Sequence, residues 1–161
     1  VKNVVLDIYN DELIRMLQNA HAGEIGAFHA YAGHIRATTD VAERNKLIEI
    51  QAEELRHIND CKRLLNHYGY PTNQLKDSIM KLVGQSLGLA CFISGRRLAA
   101  WGAGLIEKIG MTNYQKMVDI SQRLGNKKLV DIFTNMRDTE TVHEMYFKGL
   151  LSEEKQSAHQ V

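Results

Sequence analysis

Proline is nearly absent, with Pro71 the one residue of its kind in 161. β-Sandwiches and barrels turn often, with proline and glycine at their corners. The scarcity of breaks therefore speaks against them and for a few long helices. Cysteine is almost as scarce. Cys61 and Cys91 have no metal-ligand spacing around them and make no disulfide framework, a usage that suits a reducing compartment. No uninterrupted apolar run reaches the roughly 18 residues needed to cross a bilayer, and no secretory leader is expected. Excess charge of one sign is missing too: 20 Lys and Arg stand against 19 Asp and Glu, for a net charge of +1. The longest basic runs are the pairs Arg96-Arg97 and Lys127-Lys128, which is no footprint for nucleic acid.

What is present is the material of one folded domain. At 44% apolar and 24% charged, the chain has enough greasy surface for a core, and its length suits one domain over 1–151. The polar stretch 152–161 reads as a frayed tail. The first helix is expected over 11–38, capped by Asn10, with Leu13, Leu17, His21, Glu24, Phe28, Tyr31 and Ile35 stepping by three and four along one inward stripe. A second opens at Asp40, where Asp40-Val41-Ala42-Glu43 has the form of a capping box. Its inward stripe carries Leu47, Ile50, Glu54, His57, Ile58, Cys61 and Leu64 or Leu65. Gly69 and Pro71 end it. Further helices are expected over 73–94, 98–124 and 127–151, with a corner at Gly95 and a cap at Asn126.

Two of these helices carry Glu-x-x-His: Glu54-Leu55-Arg56-His57 and Glu140-Thr141-Val142-His143. Spacing of three puts carboxylate and imidazole on one helix face. A di-metal carboxylate site in a four-helix bundle needs two such pairs and a lone Glu from each of the other two helices. Glu24 and Glu107 supply them. Residue 39, midway between Glu24 and Glu54, falls in the first expected turn; the midpoint of Glu107 and Glu140 falls at the edge of the second, before Gly125. In an antiparallel hairpin, residues equidistant from the turn share a height, here about 22 Å below each loop. Singly, Glu24, Glu54 and Glu107 would read as solvated helix residues; the matched heights favour a shared site. The segment 73–94 is long enough, at about 30 Å, to run the bundle's length as a crossover. The fold class follows: all-α, a ferritin-like four-helix bundle of two antiparallel hairpins with an additional crossover helix.

Four carboxylates gathered in a core need positive charge among them. Carboxylate and imidazole ligands without thiolate favour two iron ions, with manganese the alternative, over structural zinc. The expected ligands are Glu24, Glu54, His57, Glu107, Glu140 and His143, and open positions on such irons bind and reduce O2. Tyr31 and Tyr114 lie on the ligand-bearing faces, as core residues or as catalytic side chains. His21 reads as a hydrogen-bonded core histidine or a support for the ligands, and His29, His34, His67 and His159 as surface residues. The stretch 82–94 is apolar or small except for Gln85 and Ser86. It reads equally as a crossover buried against the bundle or as a membrane interface through 82–101, with Arg96, Arg97 and Trp101 at headgroup level.

His21-Ala22-Gly23-Glu24, Gly26-Ala27 and Tyr31-Ala32-Gly33 resemble the first ligand helix of the demethoxyubiquinone hydroxylases of the Coq7 (Clk-1) family. Glu54-x-x-His57, the small-residue crossover, Glu107 with Tyr114 seven residues on, and Arg137-Asp138-x-Glu140-x-x-His143 come in that family's order. The resemblance spans about residues 15–148. It implies that the six ligands named above hold two irons and that the reaction is O2-dependent hydroxylation of a quinone ring in ubiquinone synthesis. It implies a quinone-like hydrophobic substrate, an electron donor the sequence does not name, and an enzyme seated on a membrane. That places it on the cytoplasmic side of a bacterial inner membrane or in the cytoplasm, or on the matrix side of the mitochondrial inner membrane in a eukaryote. Departures are Gln18-Asn19-Ala20 before the first motif, Lys108 after Glu107, Thr112 and Asn113 before Tyr114, and a polar rather than apolar stretch after 151. The competing reading from the site alone is a ferritin-like or rubrerythrin-like protein that oxidises iron or reduces peroxide. A homo-oligomer is compatible with either.

Overall fold

A computed structural model describes residues 2–158. Four helices make up the chain in order: α1 (Lys2–Ala37), α2 (Val41–His67), α3 (Gln74–Arg123) and α4 (Lys127–Ala158). No strand occurs among the described residues. The all-α expectation holds, and the boundaries that moved did so where nothing in the sequence stops a helix. α1 begins at Lys2, so Asn10 lies inside it and caps nothing; neither glycine nor proline separates 2–10 from residue 11 onward. α4 likewise runs on through 158, where 152–161 had read as a frayed tail; residues 159–161, and His159 with them, lie outside the described residues.

The remaining ends obey their local chemistry. Asp40 Oδ1 accepts from Glu43 N–H at 2.8 Å and starts α2. Glu43 does not close the expected box: its carboxylate instead accepts from Arg96 Nε at 2.5 Å. At the other end Gly69 takes φ +76°, and Tyr70 N–H bonds Leu65 C=O at 2.9 Å, a six-to-one closure that needs the left-handed residue between. Asn73 and Asn126 cap α3 and α4 through Lys76 N–H (3.1 Å) and Leu129 N–H (3.2 Å).

α3 is the crossover and the third bundle helix joined end to end. The join is Gly95, at φ 74° and ψ 164°, a region open in practice only to glycine. Its first half climbs the outside of α1, held by glycine against glycine. A Cβ on Gly33 would stand 2.3 Å from Gly88 Cα, and one on Gly84 would stand 2.0 Å from Gly26 O. The second half returns between α1 and α4. Two apolar cores result, one at each end. Leu17, Leu65, Met117 and Phe133 fill the end nearer the α3–α4 turn. Tyr31, Leu47, Ile50 and Phe147 fill the end nearer the α1–α2 turn. Burying each such side chain contributes about 1.5–3 kcal/mol, so the polar layer between them is clamped from both sides.

The crossover is not buried. Gly84 and Gly88 face α1, while Leu82, Leu89, Phe92 and Ile93 face outward, Ile93 at 89% exposure. α3 also contains a stretch long and apolar enough, by length and composition, to cross a membrane, and 11% of it is buried. The uninterrupted-run criterion missed it because Lys81 and Arg96 bound the uncharged stretch, and Gln85 and Ser86 break it further.

Candidate metal centre

The inward stripes of the four helices meet in the polar layer between the two cores. The structure brings all six expected ligands together there, each nearly fully buried. Their ligand atoms form two groups, Glu24, Glu54, His57 and Glu140, and Glu54, Glu107, Glu140 and His143, with the atoms of each within 4.8 Å of one another. Glu54 and Glu140 are common to both, so each stands where one carboxylate can serve two ions.

The atoms converge without satisfying one another. Both oxygens of Glu54, Oε1 of Glu140 and Nδ1 of His57 are buried with no hydrogen-bond partner among the described residues. His57 Nδ1 lies 2.9 Å from Glu140 Oε1 and 3.9 Å from Glu24 Oε1, close but out of hydrogen-bond alignment. His143 Nδ1 lies 3.1 Å from Glu107 Oε2 and 3.3 Å from Glu54 Oε1. Orphaned buried oxygens cost several kcal/mol in a protein interior, and divalent cations are the partners this donor set fits.

Charge tells the same story. Burial, reinforced by the neighbouring carboxylates, pushes Glu24 and Glu140 well above the ordinary carboxylate range. Burial likewise raises Glu54, to about 8. His57 is pushed down, chiefly by burial. For His143 burial acts downward, but the hydrogen bond and charge of Glu107, with those of Glu53, outweigh it and leave the imidazole raised. Without cations the site holds protons in their place.

A second ring of side chains orients the first. Tyr31 donates its hydroxyl hydrogen to Glu107, and Tyr114 donates to Glu24; both tyrosines are buried. Cys61 Sγ is 3.8 Å from the Tyr114 hydroxyl. Glu53 Oε2 lies 2.5 Å from His143 Nε2, which leaves Nδ1 turned to the ligand cluster, the usual arrangement behind a metal-binding imidazole. Sequence reading passed over Glu53 because only its neighbour Glu54 fits the Glu-x-x-His spacing. Gly110 went unremarked too; a Cβ there would meet Glu140 Oε2 at 2.7 Å, so its hydrogen keeps room for a ligand. His21 proves a core histidine, its Nδ1 3.0 Å from Asp77 Oδ1, tying α1 to the start of the crossover. His29 is half-buried and His67 exposed, but His34, expected at the surface, is 4% exposed. It is buried against Tyr31 and Phe147.

One cavity lies at the centre and a second lies beside it. A smaller one of about 160 Å³ is lined by Glu24, Glu54, Glu107 and Glu140 beside Gly23, Met80 and Gly110. A larger one of about 400 Å³ lies between α1 and the two halves of α3, with Tyr31, His34, Leu87, Trp101 and Ile106 on its walls. Ile106 and Ile109 line both.

A four-helix bundle with a buried layer of four carboxylates and two imidazoles defines the class of ferritin-like proteins built to hold a pair of metal ions. Within that class the family profile described as "Ubiquinone biosynthesis protein COQ7" matches residues 11–159, and the chain belongs to that family. Among curated proteins no relative matches it.

Proposed function

We propose that this protein is a di-iron, O2-dependent monooxygenase that hydroxylates a demethoxyubiquinone-type quinone. The observation that carries the proposal is the buried carboxylate layer, with a small cavity against it and, sharing Ile106 and Ile109 with that cavity, an apolar one large enough for a substituted ring. Family membership supports it, since the family serves ubiquinone synthesis. An iron-handling or peroxide-reducing protein has no use for that apolar space.

Glu24, Glu54, Glu107 and Glu140 would hold the ions, with Glu54 and Glu140 shared, and His57 and His143 would bind through Nδ1. Two irons there would supply the activation of dioxygen, which no side chain of this chain can perform. The protein's own part is positional. Tyr31 lines the larger cavity while its hydroxyl donates to Glu107, so it marks the boundary between substrate and ligands. Tyr114 fixes Glu24 from the opposite core. Ile106 and Ile109, which line both cavities, would stand between the ligands and a bound ring. The apolar outer face of 82–101 would rest in the membrane surface, beside the cavity that a membrane-borne substrate must reach.

The test is a single-turnover assay. Anaerobic ferrous protein receives a short-tail demethoxyquinone and a reductant, then ¹⁸O-labelled O2. The expected product carries one labelled oxygen on the ring. Oxidation of the irons with no labelled product would remove hydroxylation and return the site to iron or peroxide chemistry.

A further inference from the structure

His34 is a histidine without a task in the fold. It lies one turn of α1 beyond Tyr31, and its ring is nearly parallel to those of Tyr31 (centroids 6.5 Å apart, 11° between planes) and Phe147 (6.3 Å, 22°). The ring is 4% exposed, and its buried Nε2 has no hydrogen-bond partner among the described residues. Leaving such an atom unpaired costs about 1–3 kcal/mol. Phenylalanine or leucine would fill the same stack without that cost.

His34 is one of the residues lining the 400 Å³ cavity, and the hydroxyl and thiol groups beside it there are already committed. The Tyr31 hydroxyl donates to Glu107, Cys91 Sγ bonds Leu87 C=O at 3.4 Å, and Ser94 Oγ bonds Gly95 C=O at 3.4 Å. Apart from the indole N–H of Trp101, a donor that cannot accept, the remaining wall is aliphatic or aromatic. Burial also pushes the His34 pKa down, against the smaller upward pull of Glu43, so the imidazole is neutral and has one N–H to give and one nitrogen to accept. Glu43 itself is held by Arg96.

We infer that His34 Nε2 anchors the polar head of the substrate, hydrogen-bonding an oxygen substituent of a quinone ring seated in this cavity. The inference rests on the quinone reading above and adds the group that recognises the ring. The cavity's apolar walls bind any flat ring of the right size; His34 distinguishes an oxygenated ring from a hydrocarbon. One buried neutral hydrogen bond corresponds to about tenfold in affinity.

The protein carries its own probe, because its single tryptophan, Trp101, lines the cavity and quinones quench indole fluorescence. The oxidised, iron-loaded full chain is titrated with a short-tail dimethoxy quinone by Trp101 quenching, and with durene, an oxygen-free ring of similar size, by calorimetry. His34→Phe is expected to weaken the quinone about tenfold and leave durene unchanged, while His34→Gln, which keeps a donor, restores most of the quinone affinity. Equal quinone binding by wild type and His34→Phe overturns the anchor, as does a parallel loss of quinone and durene, which would mark a purely structural role. A wild-type protein whose Trp101 is untouched by quinone overturns it as well. Labelled product from wild type with no His34→Phe effect removes only the anchor; a tenfold effect with no labelled product removes only the hydroxylation.

Discussion

At Glu54 the protein buries an acid whose folded pKa is about 8, and Glu24 and Glu140 are raised in the same direction. A raised carboxyl stabilises the fold fully below its unfolded pKa, and that contribution disappears as pH rises through the folded value. The low-pKa histidines His57 and His34 act in the opposite sense, gaining stability as pH rises through about 6.5, the unfolded histidine value. By pH 7 that gain is nearly complete, so between pH 7 and 9 the raised groups decide: the carboxylates, with the raised His143 acting in the same direction. The chelator-treated protein is therefore expected to lose melting temperature steadily over that interval, and the iron- or manganese-loaded protein to hold it. Circular-dichroism melts at pH 7, 8 and 9 measure both. A metal-free protein whose melting point rises from pH 7 to 9 would mean these carboxylates are not buried together. Glu53 gives a second test on this scale. Burial raises its pKa, but the hydrogen bond and charge of His143 outweigh it and leave it lowered, so it is a carboxylate at neutral pH. Glu53→Gln weakens the hold on the His143 ring, and metal affinity is expected to fall about 10–100-fold with little change in the metal-free melt. Competition against a chromogenic chelator reads the affinity directly; an unchanged affinity would show that Glu53 does not orient the ligand.

Between elements, the decisive contact is α1 against the first half of α3, where Gly33 and Gly88 bring two backbones together. Alanine normally improves a helix over glycine by about 0.5–1 kcal/mol. At Gly33 its methyl would meet backbone atoms of Gly88 at 2.3–2.5 Å, and backbone cannot swing aside as a side chain can. Gly33→Ala is therefore expected to cost about 1–3 kcal/mol, while Gly149→Ala, in a helix with nothing within 4 Å, gains the usual increment. Denaturant unfolding of the two variants should move in opposite directions; a stable Gly33→Ala would mean that the crossover does not sit on α1. That same contact explains what the sequence could and could not disclose. The hairpins were legible because equal distances from two turns placed Glu24 with Glu54 and Glu107 with Glu140, and helix periodicity is a local signal. The second covered face of α1 was not legible: a single stripe reserves one side for solvent, and the crossover lands there on Gly26 and Gly33, while His34, between the two faces, is buried against Tyr31 and Phe147. Glu43 misled for a related reason, since the box read from its neighbours is opened by Arg96, 53 residues away. Glu53 escaped because the layer is wide enough for two adjacent glutamates to reach one histidine.

On the scale of the whole molecule, the crossover turns the bundle into a two-faced object. Leu82, Leu89, Phe92 and Ile93 before the Gly95 corner, and Leu98, Trp101, Leu105 and Ile109 after it, are all between 45% and 89% exposed. Soluble monomers rarely leave so much apolar surface contiguous. The row flanks the larger cavity, whose walls include Leu98, Trp101, Leu105 and Ile109, so what covers the row also meets the cavity mouth. On the proposed function a membrane surface would serve both needs, taking up the side chains and carrying a long-tailed substrate to the opening. Each Leu or Ile moved from water into lipid contributes about 1.5–3 kcal/mol, so a double substitution Leu89→Glu with Ile93→Glu should reduce vesicle binding at least about tenfold. Neither residue lines the cavity or touches the ligands, so metal content and short-tail quinone binding should be unchanged, while turnover of a long-tailed quinone in vesicles drops. Flotation with phosphatidylcholine–phosphatidylglycerol vesicles measures the first effect and product formation the second. A wild-type protein that stays in the aqueous fraction, while sedimentation equilibrium shows a tight dimer broken by the same double substitution, would assign the apolar face to a second copy of the chain instead.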